Sequence, residues 1–346
     1  MAAYISFQPS DYYNTVLYTG NGSTNAVTGV GFQPDFTWIK NRLQSDNHYL
    51  CDSVRGATKY IESGTNIAQV TNANGLSVFG SDGFTVGTQG SQVNDNTDSY
   101  VSWNWKAGTT TGIDATGATI TPTSYSFNQT AGFSIIKYTG NTIGGATIPH
   151  GLGVKPDLVI IKNLDATQNW GLQYAPLGAT KYLRFNMATA GGDSAGFWND
   201  TEPTDTLVSL GTEGIVNGSA QQIAYCFANK RGYLKVGSYI GNNQVNGPYI
   251  HTGFRPAYIL IKNFSTTDTY VVMDSKREGY NLQNKLLIPT DANAEQDGLY
   301  GVDFLSNGFK CNRNDGWTNG SGNTMVYSAF AEFPVVSSNS IPATAR

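Results

Sequence analysis

The chain has 346 residues, of which 13% are charged, 12% are aromatic and 40 are glycines. Because glycine and short hydrogen-bonding side chains weaken helix interiors, this composition favours a turn-rich all-β protein. The formal net charge of −4 excludes the strongly basic surface that is typical of nucleic-acid-binding proteins, so we expect no nucleic-acid partner.

Membrane and export signals are not expected either. No apolar run approaches the roughly 20 residues that a membrane-spanning helix requires, and residues 1–6 lack the basic and apolar regions of a signal peptide. The cysteines Cys51, Cys226 and Cys311 do not recur at equivalent places, so we interpret them as free, buried thiols. The sequence therefore predicts a protein that is made in a reducing cytoplasm and is not exported by the general secretory route.

A motif of eleven residues occurs three times, at positions 31–41, 153–163 and 253–263. Each copy has glycine, an apolar residue, a polar residue and proline, followed by an apolar run that ends in Ile-Lys-Asn. Glycine and proline bend the chain, and the β-branched and aromatic residues predict a short, buried strand. A repeat at this separation predicts three homologous units.

Around this central strand, each unit shows the same order of elements. An opening strand precedes it (residues 13–21, 133–141 and 234–242), and a second paired segment follows it (48–60, 170–183 and 270–280), with the third copy differing most. We predict a hairpin turn in each unit, at Asp82-Gly83, Glu213-Gly214 and Asn307-Gly308, since glycine there can take a positive φ. A closing strand ends each unit, and its pattern aligns Trp103, Tyr225 and Tyr327.

This pattern predicts an all-β chain of three tandem homologous antiparallel β-sandwich units, jelly-roll or lectin-like, of about 100 residues each. We place the units at residues 1–108, 133–232 and 233–336. Residues 109–132, with low charge and low apolar content, are predicted to form a linker. Units two and three lack such a spacer and are expected to pack rigidly together. Residues 337–346 form a tail.

The central motif resembles repeats in virion proteins of tailed bacteriophages, chiefly those that infect marine bacteria. Further segments are similar to these repeats, namely residues 52–60, 81–87, 196–201, 249–256 and 303–310. The resemblance runs from about Tyr13 to Pro334. It implies a viral structural or tail-fibre-type protein that is assembled into virions in the host cytoplasm, with other virion proteins as partners. It brings no catalytic or binding residues with it.

Two tryptophans of the middle unit, Trp170 and Trp198, are the candidate glycan-binding residues. Aromatic faces stack on sugar rings, and both residues lie among glycine, asparagine and aspartate; the competing interpretation is that they belong to the core. The recurring Lys40, Lys162 and Lys262 could grip an anionic sugar. We favour a structural role in which each aliphatic stem covers apolar surface and the ammonium reaches a carboxylate or solvent.

The sequence contains no recognisable catalytic or metal-binding motif, so we expect no enzyme activity, cofactor or metal site. The histidines His48, His150 and His251 and the three cysteines lack zinc-ligand spacing. The carboxylates offer no recurring catalytic pair: Asp82, Glu213 and Asn307 share a turn position, and Asp35 and Asp157 give way to Ala257. Acidic segments 94–98 and 199–205 could hold Ca²⁺ but match no defined loop, which favours solvated turns.

These observations lead to one favoured function and two alternatives. We favour a non-enzymatic tail fibre or receptor-binding adhesin that contacts host surface glycans through shallow sites multiplied by copy number. The first alternative is a capsid decoration or tail-assembly protein. Three similar units would suit a threefold seat, so a homo-oligomer, with a trimer favoured, is expected. The second alternative, a polysaccharide depolymerase, requires a carboxylate pair that the sequence does not show.

Overall fold

Short segments rich in β-branched and aromatic residues alternate with glycine- and asparagine-rich turns, and in the computed structural model these segments form strands. The structure describes residues 8–298 and 301–331, together with the backbone of two short strands near the C-terminus. It is 41% strand and 7% helix, and all the strand pairs found in these residues are antiparallel. The predicted all-β class is therefore confirmed.

The strands of the first part of the chain are β1 (Tyr13–Thr19), β2 (Asn25–Thr28), β3 (Phe36–Asn41), β4 (Tyr49–Asp52), β5 (Lys59–Glu62), β6 (Val70–Thr71), β7 (Leu76–Gly80), β8 (Gly83–Val86) and β9 (Ser99–Trp105). The next are β10 (Ser124–Asn128), β11 (Phe133–Thr139), β12 (Ala146–Pro149), β13 (Leu158–Asn163), β14 (Trp170–Tyr174), β15 (Lys181–Arg184), β16 (Gly192–Asp193), β17 (Leu207–Leu210) and β18 (Gln221–Phe227). The last are β19 (Leu234–Ile240), β20 (Tyr249–His251), β21 (Pro256–Asn263), β22 (Tyr270–Asp274), β23 (Val302–Leu305), β24 (Gly308–Cys311), β25 (Thr324–Ala331), β26 (Val335–Val336) and β27 (Pro342–Ala343). Short helical turns lie between them: α1 (Ala195–Trp198), α2 (Gly214–Asn217), α3 (Gly316–Asn319), two 3₁₀ turns (Pro9–Asp11 and Ala175–Leu177) and a π turn (Gly90–Asn94).

Three large sheets and three small ones organise these strands. The first large sheet has the order β1-β9-β3-β4-β5-β6, the second β10-β11-β18-β13-β14-β15-β16, and the third β19-β25-β21-β22. The small sheets are β2-β8-β7, β12-β17 and β20-β24-β23, and β26 pairs with β27. In each large sheet the central strand of the repeated motif lies between the closing strand and the second paired segment, as the repeat predicts.

Each large sheet is covered on both faces, which explains why the central strands are continuously apolar. One face, carrying Trp38 of β3, joins a single core that contains buried residues of all three large sheets. The other face, carrying Ile39, joins a smaller core shared with the small sheet nearby. The second and third large sheets have their own smaller cores of the same kind.

Three sequence predictions need correction against these elements. The turn predictions at Asp82-Gly83 and Asn307-Gly308 are confirmed by the hairpins β7–β8 and β23–β24, but Glu213 is the N-cap of α2 and forms no hairpin. The position that pairs with the central strand as Trp103 and Tyr225 do is Ser328, not Tyr327.

The third correction concerns residues 109–132, which were predicted to be a linker. Their last part forms β10, which pairs with β11 and extends the second large sheet by one strand. Phe127 of β10 and Ile120 before it are buried, so this segment is held by packing and by strand pairing. The side chains of residues 337–346, predicted to be a tail, lie outside the described residues.

Candidate functional site

Trp170, the first glycan candidate, lies inside the molecule. It begins β14, is 0% exposed and packs in the core shared by the three large sheets. Its indole Nε1 donates hydrogen bonds to the carbonyl oxygens of Glu62 at 3.1 Å and Thr65 at 3.2 Å, both in the first part of the chain. The ring therefore offers no face to a sugar, and it joins the second sheet to a loop of the first.

Trp198, the second glycan candidate, is also 0% exposed. It ends the short helix α1, whose N-cap Ser194 accepts a hydrogen bond from the Gly196 amide at 3.1 Å. The ring packs in the smaller core of the second sheet, beside Phe197. Its burial supports the core interpretation that the sequence analysis held open.

The three recurring lysines are fully buried as well. Each ammonium donates to the carbonyl of the asparagine that follows it, at 2.6–2.8 Å, and to two further carbonyls. Three N–H groups thus meet three acceptors, as buried donors require. Burial lowers the pKa of Lys40, Lys162 and Lys262 to about 8. These lysines hold loops rather than ligands, and their partners are carbonyls instead of the expected carboxylates or solvent.

Two of these lysines also join neighbouring sheets. Lys40 donates to the Ala292 carbonyl at 3.2 Å, and Lys162 donates to the Asn66 carbonyl at 3.4 Å. Two residues after each of the three lysines, a backbone carbonyl accepts a bond from a distant amide. These bonds run from Glu295 to Arg42 at 2.9 Å, from Gln69 to Leu164 at 2.8 Å and from Gly191 to Phe264 at 2.8 Å. They link third sheet to first, first to second, and second to third in a closed cycle.

The carboxylates that were weighed as catalytic groups make structural bonds. Asp82 accepts from the amides of Gly29 and Gly31 at 3.1 and 2.6 Å. Burial raises the pKa of Asp35, which accepts from the Ser53 hydroxyl at 2.6 Å. Asp157 accepts from the Asn229 amide at 2.7 Å. Each carboxylate thus joins two loops.

Two of the histidines, His48 and His150, are buried and make structural hydrogen bonds. His48 accepts from the Trp38 indole at 2.8 Å through Nδ1, and its Nε2 faces the Ile288 carbonyl at 3.1 Å. His150 accepts from the Leu152 amide at 3.2 Å, and burial lowers its pKa to about 4. Burial lowers the pKa of both rings, so both are neutral structural residues. The cysteines are free and buried, as predicted.

Within residues 8–298 and 301–331, no group of three or more His, Cys, Asp or Glu side chains is arranged to hold a metal ion. No helix in the described part of the chain has the length and apolarity to span a membrane.

The common core encloses an apolar cavity of about 30 Å³ among residues of all three large sheets, including Trp38, Tyr225 and Phe330. This volume holds about one or two water molecules. It is therefore too small for a sugar or a cofactor.

A larger concave surface lies where the second large sheet passes into the third. This groove has a volume of about 600 Å³ and is lined by residues 229–232, 234–235 and 251–253. One wall is the turn between β18 and β19, where Lys230 and Leu234 exchange backbone hydrogen bonds at 3.0 Å. The other wall follows β20, where the amides of Thr252 and Gly253 both donate to the Asn307 carbonyl at 3.1 Å. Both walls are therefore fixed by backbone bonds.

Cationic side chains dominate this groove. Lys230, Arg231 and Lys235 line it together with His251, and only the first three count as charged in the net charge of −4. Burial lowers the pKa of Lys230. A concave surface of one charge focuses its electric field, which attracts ligands of opposite charge.

An exposed aromatic residue stands next to the groove. Tyr249 is 46% exposed, and its hydroxyl donates to the Asn307 side chain at 2.7 Å and lies 3.2 Å from His251 Nδ1. Tyr280, at 85%, is the other exposed aromatic side chain among the described residues. Tyr249 is held in place by its hydroxyl, so its ring is a fixed platform beside the cations.

Comparison with known families places the chain. A family model described as a domain of unknown function, DUF7483, matches residues 8–334. The chain belongs to this family. No curated protein and no solved structure matches it.

Sequence reasoning did not find the groove of this DUF7483 domain. Its residues come from the β18–β19 turn and from β20, which meet only through the fold. One signal was present: the sequence Lys230-Arg231 stands in a junction between repeats, in a chain where charged residues are sparse. Adjacent cations in such a junction are a candidate for binding.

Proposed function

We propose that this chain is a non-enzymatic surface protein of tailed-phage virions, a tail fibre or receptor-binding adhesin that contacts host surface glycans. The observation that carries the proposal is the fixed, exposed ring of Tyr249 beside a polar groove. Sugar-binding sites combine an aromatic face with hydrogen-bonding groups, since one side of a sugar ring is apolar and its rim is hydroxylated. The resemblance of the repeats to phage virion proteins supports the assignment to a virion.

We infer further that the chain consists of three related β-sandwich units, jelly-roll or lectin-like, around a pseudo-threefold axis. Trp38, Ile160 and Leu260 pair with their closing strands at equivalent positions, and the cyclic amide-to-carbonyl bonds connect the large sheets in a ring. Such a ring would be a rigid base for the groove. The proposed adhesin has no catalytic role, because the carboxylates that were considered are engaged in structural hydrogen bonds.

The same arrangement favours a second candidate, a capsid decoration or tail-assembly protein. A chain with pseudo-threefold shape presents three similar surfaces, which fit a threefold axis or a trimeric partner in a virion. In this alternative, contacts with other virion proteins, or a homotrimer of the chain, replace glycan binding as the main role.

Binding of the purified protein to cells of the host that the phage infects tests the first proposal. We expect saturable binding that Tyr249→Ala weakens about ten-fold, because removal of a stacking ring costs about 1 kcal/mol or more. Tyr280→Ala, which removes the other exposed tyrosine, is the matched control and should bind as the parent does. Labelled protein should appear at the tail in electron micrographs of virions.

The same experiment can contradict the proposal. Absence of binding to host cells, together with label over the capsid lattice, would favour the decoration protein. Equal losses for the two tyrosine variants would show that Tyr249 is not a specific contact.

A further inference from the structure

Two lysines, Lys230 and Lys235, line the groove beside Tyr249. Five other cationic side chains are buried and bonded to carbonyls or carboxylates inside the structure, namely Lys40, Lys162, Lys262, Arg55 and Arg277. By contrast, Lys230 and Lys235 are in no ion pair within the described part of the chain. They contribute cationic charge without a structural partner.

One acidic residue, Asp157, lies near Lys235. Burial raises the pKa of the Asp157 carboxyl, and the nearby Lys235 offsets part of this rise. The Asp157 carboxylate accepts the Asn229 amide at 2.7 Å, which fixes the first residue of the groove wall. Among the described residues, the Asp157 carboxylate is thus one negative charge beside the two lysines Lys230 and Lys235, and the lysines keep the groove locally positive.

The partial burial of Lys230 also favours a charged ligand. Lys230 is half-buried, and burial lowers its pKa. A half-buried ammonium that has no carboxylate partner among the described residues is poorly compensated, and an anionic ligand would supply a counter-charge. The site therefore gains more from a charged ligand than from a neutral one.

We propose that the groove binds an acidic saccharide, one whose carboxylate or sulfate groups contact Lys230, Arg231 and Lys235 while a sugar ring stacks on Tyr249. This inference rests on the proposed glycan-binding function and specifies the chemical class of the glycan. The volume of about 600 Å³ lies within the range of sites for small organic ligands. Recognition combines charge-assisted hydrogen bonds with aromatic stacking, both in one rigid groove.

The test compares three polymers on the full-length chain: dextran sulfate, unmodified dextran with the same backbone, and polygalacturonate. We expect binding to at least one acidic polymer, with an affinity that falls as salt is raised, and much weaker binding to dextran. The Lys230→Gln/Lys235→Gln variant should lose about ten-fold in affinity. Lys155→Gln/Lys181→Gln, which removes two lysines that pair with Glu202 and Asp193 at the surface, is the control for net charge. Preference for dextran sulfate or polygalacturonate distinguishes sulfate from carboxylate recognition.

The outcomes separate this inference from the proposal on which it rests. Equal losses for the groove variant and Lys155→Gln/Lys181→Gln would show that attraction is non-specific, and would overturn the acidic-saccharide site. Binding to host cells that depends on Tyr249 but not on the groove lysines would also overturn it, while the adhesin proposal would stand. Absence of binding to all polymers and to host cells would remove both. Thermal unfolding of each variant checks that the fold is intact.

Discussion

The first and third large sheets place a buried ion pair where the second places apolar side chains. At the start of the turn after β4, Asp52 accepts from the Arg55 backbone amide at 2.8 Å and from its guanidinium at 2.5 Å. After β22, Asp274 accepts from the same two groups of Arg277 at 2.9 and 2.5 Å. All four side chains are fully buried.

Each of these aspartates also accepts from the neighbouring sheet. The Tyr225 hydroxyl of β18 donates to Asp52 at 2.7 Å, and the Trp103 indole of β9 donates to Asp274 at 3.0 Å. The pairs are therefore part of the contact between sheets. They tie the second sheet to the first and the first to the third.

In the second sheet the corresponding residue is Tyr174, which pairs with Leu158 as Asp52 pairs with Phe36. Tyr174 and the nearby Leu177 pack in the common core. Burial raises the pKa of Tyr174, and Ser328 of the third sheet partly offsets this effect. The same position can thus be filled by a charged pair or by an aromatic residue. The ion pair is therefore one of two ways to fill this position. Removing the pair is costly only when one of its two charges stays behind.

The largest effect is expected when one member of a pair is removed. Asp52→Ala leaves the Arg55 guanidinium buried without its carboxylate and leaves the Tyr225 hydroxyl without its acceptor. We expect the free energy of unfolding to fall by about 3–5 kcal/mol. Urea unfolding, followed by tryptophan fluorescence, measures the change.

The control copies the second sheet. Asp52→Tyr/Arg55→Leu removes both charges and supplies the side chains found at positions 174 and 177, so its loss should be well below that of Asp52→Ala. If the double variant is as unstable as the single one, the two solutions are not interchangeable and the comparison fails.

A smaller effect is expected from the buried lysines, which differ in reach. Lys162 donates to the Asn66 carbonyl of the first part of the chain, whereas Lys262 donates only to its own loop. Replacement by methionine keeps the stem and leaves buried carbonyls without a donor, which costs about 2–3 kcal/mol in each case.

Hydrogen exchange distinguishes the two lysines. In Lys162→Met the Gln69 amide, which donates to Leu164 at 2.8 Å, should exchange faster, because the contact between the first and second sheets is loosened. In Lys262→Met it should exchange as in the parent. Equal protection of Gln69 in both variants would show that the cross-sheet bond of Lys162 contributes nothing to the contact.

Much of the fold was predictable from local signals. The repeated motif marked all three central strands, since a continuous apolar run between glycine-proline and Ile-Lys-Asn is typical of a strand buried on both faces. The Asp-Gly and Asn-Gly turns were also readable. At Gly308 an added Cβ would lie 2.0 Å from the Ile250 carbonyl oxygen, so this position requires glycine for space.

The errors arose where residue type was a poor guide to position. Glu213-Gly214 resembles a hairpin turn, yet it begins α2. The residue equivalent to Asp82 is Thr206. The Thr206 carbonyl accepts the His150 amide, and the Asp82 carbonyl accepts the Val30 amide. Tyr327 was aligned with Trp103 because both are aromatic, although strand register assigns Ser328. In both cases pairing partners, which the sequence does not reveal, decide the alignment.

The candidate site was the least predictable part. Trp170 looked suited to sugar stacking because it lies in a polar stretch, but its indole bonds two carbonyls more than 100 residues away in the chain. Such long-range bonds leave no local pattern. The groove was missed for the same reason, since its two walls are brought together only when the second and third large sheets form.

The last prediction concerns pH, and its sign follows from burial. The pKa of each buried lysine is lowered to about 8 from the ordinary value of 10.5. Between these values the unfolded chain binds more protons than the folded chain, so the free energy of unfolding rises with pH. Each lysine should contribute about 1 kcal/mol between pH 7 and pH 9. The buried thiols act in the opposite sense above their ordinary pKa of 9.0, because burial raises it.

Urea midpoints at pH 7, 8 and 9 measure this effect before the thiols dominate. The parent chain should become more stable over this range, and Lys162→Met, which retains two of the three buried lysines, should gain about two-thirds as much. This ratio separates the lysines from every other titrating group, since only Lys162 differs between the two chains. A flat profile in the parent would mean that the three carbonyl acceptors stabilise each ammonium as strongly as burial destabilises it.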